Sequence, residues 1–226
     1  MRCGLLGEKL GHSYSPALHA LFGDYDYELF EVSPDRLGDF LRVRDFQGLN
    51  VTIPYKTTML AICDDLTETA ATIGSVNTVL KQLDGSLLGD NTDAAGFEGM
   101  VWKSRIRILG RKCLVLGSGG ASLSAQYVLR KLGAGEVVVI SRTGENNYDN
   151  LDRHQDAAVI VNATPVGMYP NTAASPVDLR QFPHCEGVLD LIYNPARTAL
   201  LQQAETLGIP HLGGLYMLAE EARCAA

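Results

Sequence analysis

Lys112-Cys113-Leu114-Val115-Leu116-Gly117-Ser118-Gly119-Gly120-Ala121-Ser122 begins as an apolar run, breaks at a cluster of glycines and passes into residues with helical spacing. Such a run suits a strand buried on both faces. The amphipathic residues 121–132 predict a helix, and Glu136-Val137-Val138-Val139-Ile140 predicts a second strand. Together they form a complete βαβ unit. In that setting the glycines let the backbone turn sharply and approach a pyrophosphate, while the amides and dipole of the helix N-terminus supply positive charge. Gly117, Ser118, Gly119, Gly120 and Ala121 are therefore candidate cofactor-binding residues. A tight turn that merely packs helix on strand is the plainer reading, and the whole βαβ context outweighs it.

The second strand runs out into Ile140-Ser141-Arg142-Thr143. An NAD site usually carries an acidic residue at this corner to hold the ribose 2′-hydroxyl. No carboxylate stands here, whereas Arg142 with the hydroxyls of Ser141 and Thr143 suits a 2′-phosphate, which favours NADP over NAD. An arginine simply exposed after a strand is the alternative.

Outward from this unit, apolar runs bounded by turn residues alternate with amphipathic segments, the pattern of an α/β protein with a mostly parallel sheet. The second half continues with strands at 157–162 and 187–192, a helix at 198–207 and a short strand at 210–212. In the first half, strands are expected at 3–6, 27–32, 49–53, 76–82 and 86–89. The last two are joined by the hairpin signal Asp84-Gly85, and helices fill the gaps. The boundary is placed near 103–110, giving an N-terminal α/β substrate-binding domain (1–103) and a Rossmann-like NADP-binding domain (104–214). A last helix, 215–226, returns to the first domain.

With 226 residues, 46% hydrophobic content and a formal charge of −7, the chain fits one large or two small globular domains. No apolar run approaches the roughly 20 residues of a membrane span, and the N-terminus breaks at Gly4 and Gly7 before a signal core forms. A cytoplasmic location is expected. The five scattered cysteines show neither C-x-x-C nor histidines at ligand spacing, so reduced thiols and no metal are expected. The acidic balance and the lack of basic runs argue against nucleic acid as a partner. The expected partner is a small molecule, the protein acting as a monomer or homodimer away from membranes.

A second cluster of chemistry lies in the first half. Leu49-Asn50-Val51-Thr52-Ile53-Pro54-Tyr55-Lys56 ends a strand-like run on a lysine, and Gly89-Asp90-Asn91-Thr92-Asp93 ends another on a carboxylate. A lysine leaving a hydrophobic strand is poorly solvated on one side and wants an anionic partner. Such a pair moves a proton at an alcohol or ketone carbon. The plainer alternative makes Lys56 a surface residue opening a helix and Thr92 or Asp93 the N-cap of the helical-looking residues 94–100.

Further motifs follow in order: Gly11-His12-Ser13-Tyr14-Ser15-Pro16, Ile73-Gly74-Ser75-Val76-Asn77-Thr78, Asn162-Ala163-Thr164-Pro165-Val166-Gly167-Met168, Asp190-Leu191-Ile192-Tyr193-Asn194-Pro195 and Gly214-Leu215-Tyr216-Met217-Leu218. With the segments above, they resemble the shikimate dehydrogenase family along nearly the whole chain. The resemblance implies a two-domain enzyme with its site in the cleft, where NADPH reversibly reduces 3-dehydroshikimate to shikimate on the route to aromatic amino acids. It implies that Ser13 and Ser15 hold the substrate carboxylate, and that Thr52, Asn77 and Asp93 hydrogen-bond the ring hydroxyls. Lys56 would protonate the ketone oxygen as hydride arrives. It further places Tyr193 with its hydroxyl toward substrate, and Thr164, Met168, Gly214 and Met217 at the cofactor. Read alone, Ser13 would cap the helix entered through Pro16, and Tyr193 would pass as a buried structural tyrosine.

The chain departs from the family pattern at Glu221, where a substrate-contacting glutamine is usual. A carboxylate accepts but does not donate and repels an anionic ligand, so either the helix register or the specificity differs. The chain is also short, and residues 144–153 replace a longer helical crossover. A relative acting on quinate or another cyclic polyol acid, possibly with NAD, is the nearest alternative. A non-catalytic metabolite or nucleotide sensor is a more distant one, since a sensor needs neither Lys56 nor Asp93.

Overall fold

The computed structural model describes residues 1–11 and 13–226, and the chain divides into two compact units. Residues 1–95 with 221–226 form the first and residues 96–220 the second.

The first unit contains β1 (Arg2–Gly7), α1 (Ser15–His19), β2 (Asp26–Glu31), α2 (Leu37–Val43), β3 (Gly48–Val51), β4 (Asp65–Leu66), α3 (Glu68–Ile73), β5 (Thr78–Lys81), β6 (Leu87–Asp90) and the start of α4 (Asp93–Ser104). Its sheet has the order β2-β1-β3-β5-β6-β4. β1 lies parallel to β2 and β3, and β4 lies parallel to β6, whereas β5 is antiparallel to both β3 and β6. The antiparallel turn is the expected one at Asp84-Gly85, with Gly85 at φ 87°. Leu6, Phe46, Leu49, Val51, Met59, Val76, Val79 and Leu87 are all buried beneath this sheet's helices and turns.

The second unit continues α4 and adds β7 (Lys112–Leu116), α5 (Gly120–Lys131), β8 (Glu136–Ile140), β9 (Val159–Asn162), β10 (Gly187–Asp190), α6 (Ala199–Thr206), β11 (His211–Gly213) and most of α7 (Leu215–Ala225). Its five strands are all parallel, in the order β11-β10-β9-β7-β8. Cys113, Leu114, Val115 and Leu116 are fully buried, as a strand covered on both faces requires. The chain turns one way from β7 to β8 and the other way to β9. That reversal is a topological switch point, and in open α/β sheets ligands bind at the carboxyl ends of strands there.

The shortened crossover between β8 and β9 holds one 3-10 turn, Leu151–His154, in place of a helix. Leu151 is buried in the core and Tyr148 packs against it, so this connection still covers its part of the sheet. No described helix is long and apolar enough to cross a membrane.

Candidate active site

The backbone of the first unit brings three segments together before any side chain is considered. Val51 N donates to Asn77 O (2.6 Å), Val76 N to Lys56 O (2.8 Å) and Asn77 N to Asp90 O (3.0 Å). The exit of β3, the entry to β5 and the exit of β6 are thereby laced into one edge. Lys56, Asn77 and Asp93 project from it.

Asp93 does not cap its helix. That task falls to Asn91, whose Oδ1 accepts from Ala94 N at 3.2 Å, so the capping role offered to Thr92 or Asp93 is corrected. Nor does Lys56 open a helix: it sits in a turn, with its side chain 14% exposed. Freed from the backbone, Asp93 Oδ2 accepts from Lys56 Nζ at 2.5 Å, and Asp93 Oδ1 accepts from Asn77 Nδ2 at 3.0 Å. Desolvation works against the charge on Lys56, but the Asp93 carboxylate, followed by that of Glu221, more than offsets it and the lysine pKa is raised.

Glu221 on α7 is half-buried and accepts from Asn77 Nδ2 at 3.1 Å. The departure from the family pattern is therefore one of chemistry, since the helix register delivers residue 221 to the cluster. Loss of solvent, then the nearby Asp93 carboxylate, pushes the Glu221 carboxyl up to about 8, against the opposing pull of Lys56.

Beyond Asn77 the polar array continues. Thr78 Oγ1 donates to Asn77 Oδ1 (3.1 Å), Asn50 Nδ2 to Thr78 Oγ1 (3.4 Å), and the Tyr27 hydroxyl to Asn50 Oδ1 (2.7 Å). Ser15 borders the Tyr27 hydroxyl. Ser13 Oγ accepts from Ser15 N at 3.2 Å and donates to Ser15 Oγ at 3.1 Å. Ser13 thus fastens the turn ahead of α1 instead of capping the helix, whose N-cap is Tyr14. His12 lies outside the described residues. Thr52 is half-buried, its N donating to Leu6 O at 2.9 Å. Tyr27, Asn50 and Thr78 belong to this array without having been singled out from the sequence, and Thr92, read there only as a possible cap, joins them. The available signal was polar residues inside otherwise apolar strands, since Asn50 and Thr78 are both buried.

In the second unit, Leu116, Ile140, Asn162 and Asp190 end their strands in register, so the following loops share one edge. Gly117 sits at φ 104°, and a Cβ there would stand 3.0 Å from Ala163 O, so no other residue fits without strain. Gly119 caps α5 with no side-chain bond, the first helical turn carries no acidic residue, and a Cβ on Gly119 would meet nothing within 4 Å. An uncapped helix start with free approach for a bulky anion fits a dinucleotide pyrophosphate. Ser118 is exposed and Ala121 half-buried.

Ser141, Arg142 and Thr143 follow β8 directly beside this turn, Gly117 N donating to Ile140 O at 2.8 Å, and Arg142 is exposed. Buried Asn162 sets the next loop: its Oδ1 accepts from Thr164 N (3.0 Å) and Thr164 Oγ1 (2.7 Å), while its Nδ2 donates to Asp190 Oδ1 (3.0 Å). Met168 is 44% exposed at the end of that loop, and Tyr169 N donates to Asn194 O, tying it to the loop that carries half-buried Tyr193. Gly214 is buried against β10, where a Cβ would stand 2.1 Å from Leu191 O. That contact gives it a packing role, and Met217 is likewise buried, on α7.

A lysine-carboxylate pair in one unit and a Rossmann-like phosphate-binding turn in the other define the class: an α/β dehydrogenase. Residues 5–79 match the shikimate dehydrogenase substrate binding domain. The shikimate dehydrogenase (NADP(+)) of Clostridium perfringens strain SM101 is 36% identical over 95% of this chain and 87% of its own. Among solved structures, shikimate dehydrogenase 1 of Peptoclostridium difficile matches with TM-score 0.92 and 34% identity, over 100% of this chain and 90% of that one. The Thermus thermophilus shikimate 5-dehydrogenase, solved in complex with NADP(H) and shikimate, matches with TM-score 0.89 and 36% identity over 100% and 91%. The chain belongs to the shikimate dehydrogenase family.

Proposed function

We propose that the protein is an NADP-dependent oxidoreductase that interconverts 3-dehydroshikimate and shikimate in the pathway to aromatic amino acids. The observation that carries this reading is the Lys56-Asp93 pair, buried and braced by Asn77 at one edge of the first unit. Residues 1–103 with the helix at 215–226 bind substrate, and residues 104–214 bind the cofactor. Ser13 and Ser15 hold the carboxylate of the substrate, and Thr52, Asn77 and Asp93 hydrogen-bond its ring hydroxyls. Lys56, kept charged by Asp93, donates to the ketone oxygen and passes its proton as negative charge develops there. In the reverse direction Lys56 takes the hydroxyl proton back.

Bound NADPH supplies the hydride. Gly117 to Ala121 hold its pyrophosphate, Ser141, Arg142 and Thr143 its 2′-phosphate, and Thr164, Met168, Gly214 and Met217 the nicotinamide end, with Tyr193 turned toward substrate. The protein works on small molecules as a monomer or homodimer in the cytoplasm, a location supported by its five free cysteines. Glu221 favours a second reading in which quinate or another cyclic polyol acid is the substrate.

Product analysis tests the proposal. With 3-dehydroshikimate and NADPH, one shikimate should form for each NADPH consumed, and NADPH consumption without shikimate would contradict it.

A further inference from the structure

Asn77 Nδ2 carries two hydrogens but faces three acceptors, Thr92 Oγ1 (3.0 Å), Asp93 Oδ1 (3.0 Å) and Glu221 Oε1 (3.1 Å). Two of the three belong to carboxylates. The only ammonium among them, Lys56, spends its short bond on Asp93. Ionising both carboxylates would leave a net negative charge in a poorly solvated site, with two anionic oxygens held against one amide nitrogen.

A single extra proton removes that excess charge. The groups that face Glu221 are Lys56 after β3, Asp93 at the start of α4 and the Tyr27 phenol on β2, with Glu220 and Arg223 beside it on α7. Tyr27 is itself kept neutral by burial. Asp93 accepts from the Lys56 ammonium as well as from Asn77, which favours its charged form, so Glu221 is the member that takes the proton. A neutral carboxylic acid offers one O–H donor and one carbonyl acceptor, the same pair of functions a side-chain amide offers.

We propose that Glu221, held as a neutral carboxylic acid, is a specificity-determining residue that recognises the substrate. The inference rests on the reading of the substrate as an anionic cyclic polyol. In this form Glu221 donates to a ring hydroxyl and does not repel the substrate carboxylate. Substrate binding is thereby coupled to a proton that the site already holds, and the protein loses affinity for substrate as that proton leaves. The direction agrees with the upward shift of the Glu221 carboxyl.

The test is the pH dependence of kcat/KM for shikimate, measured with saturating NADP on the unaltered protein and on Glu221→Gln. In the unaltered protein kcat/KM should fall about tenfold per pH unit above an inflection near 8. Glu221→Gln should lose that inflection, with the change carried by KM, so that its kcat/KM in alkaline buffer exceeds that of the unaltered protein severalfold. Identical profiles in the two proteins, with shikimate turned over by both, would overturn the role of Glu221 alone. No turnover of shikimate by either at any pH would overturn the functional reading and this inference with it. A second measurement, independent of the variant, is carbon NMR of the unaltered protein with labelled glutamate. One side-chain carboxyl should titrate near 8, and titration of every glutamate in the ordinary carboxylate range would overturn the inference.

Discussion

Lys56 Nζ lies 2.5 Å from Asp93 Oδ2, and the carboxylate that receives it is 1% exposed. A pair so placed keeps the ammonium charged and aimed, which a solvated surface pair does not. Lys56→Ala should therefore lower kcat by about 10²–10⁴-fold, the usual contribution of a positioned proton donor. Binding of NADPH, followed by its fluorescence, should be unchanged. Comparable kcat in the variant would remove Lys56 from proton transfer.

Gly117 stands in the left-handed region with Ala163 O pressed against its Cα face. Gly117→Ala adds backbone strain and a close contact, for a destabilisation of about 1–3 kcal/mol. Because the strain sits at the phosphate-binding turn, KM for NADP should rise more than KM for shikimate. An equal rise in both would place the damage elsewhere.

Arg142 is the only cation directly following β8. Arg142→Ala removes the charge-assisted contact proposed for the 2′-phosphate, about 1.5–3 kcal/mol, so KM for NADP should rise by roughly tenfold or more while KM for NAD changes little. Initial rates with each nucleotide check this, and parallel losses would show that Arg142 does not read the 2′-phosphate.

Asp190 is fully buried and accepts from Asn162 Nδ2, Ile192 N and Thr198 Oγ1. Burial nevertheless pushes its carboxyl up to about 6 from 3.8. The folded protein thus holds this proton more tightly than the unfolded chain. The stability contributed by the group is greatest below pH 3.8, falls as pH rises toward 6 and is level above it. Asp190→Asn keeps an oxygen for Asn162 Nδ2 and Ile192 N but turns its NH2 toward the Thr198 hydroxyl, which loses its acceptor, costing about 1–3 kcal/mol at neutral pH, and should remove this portion of the pH slope. Urea unfolding across the acid range checks both effects. An unchanged slope would mean that Asp190 stays ionised throughout.

The βαβ unit was legible because β7 is apolar at every buried position and its glycines follow at once. The site in the first unit was legible only in part. Lys56 and Asp93 announced themselves as charges at the ends of apolar runs. The bond from Asn77 to Glu221 joins residues 144 apart in the chain, and no local pattern encodes a contact of that separation. Asn91, a better cap than its neighbours, was hidden among Asn91-Thr92-Asp93, three residues that all favour helix starts. Tyr27, Asn50 and Thr78 were hidden because strand periodicity does not tell a buried hydrogen-bonded polar residue from a solvent-facing one.

The most direct test of the account is the initial rate of nicotinamide reduction with shikimate or quinate, each offered with NADP or NAD. Rapid reduction with shikimate and NADP, well above the other three combinations, is the predicted result. A preference for quinate or for NAD, or no reduction in any of the four, would contradict it.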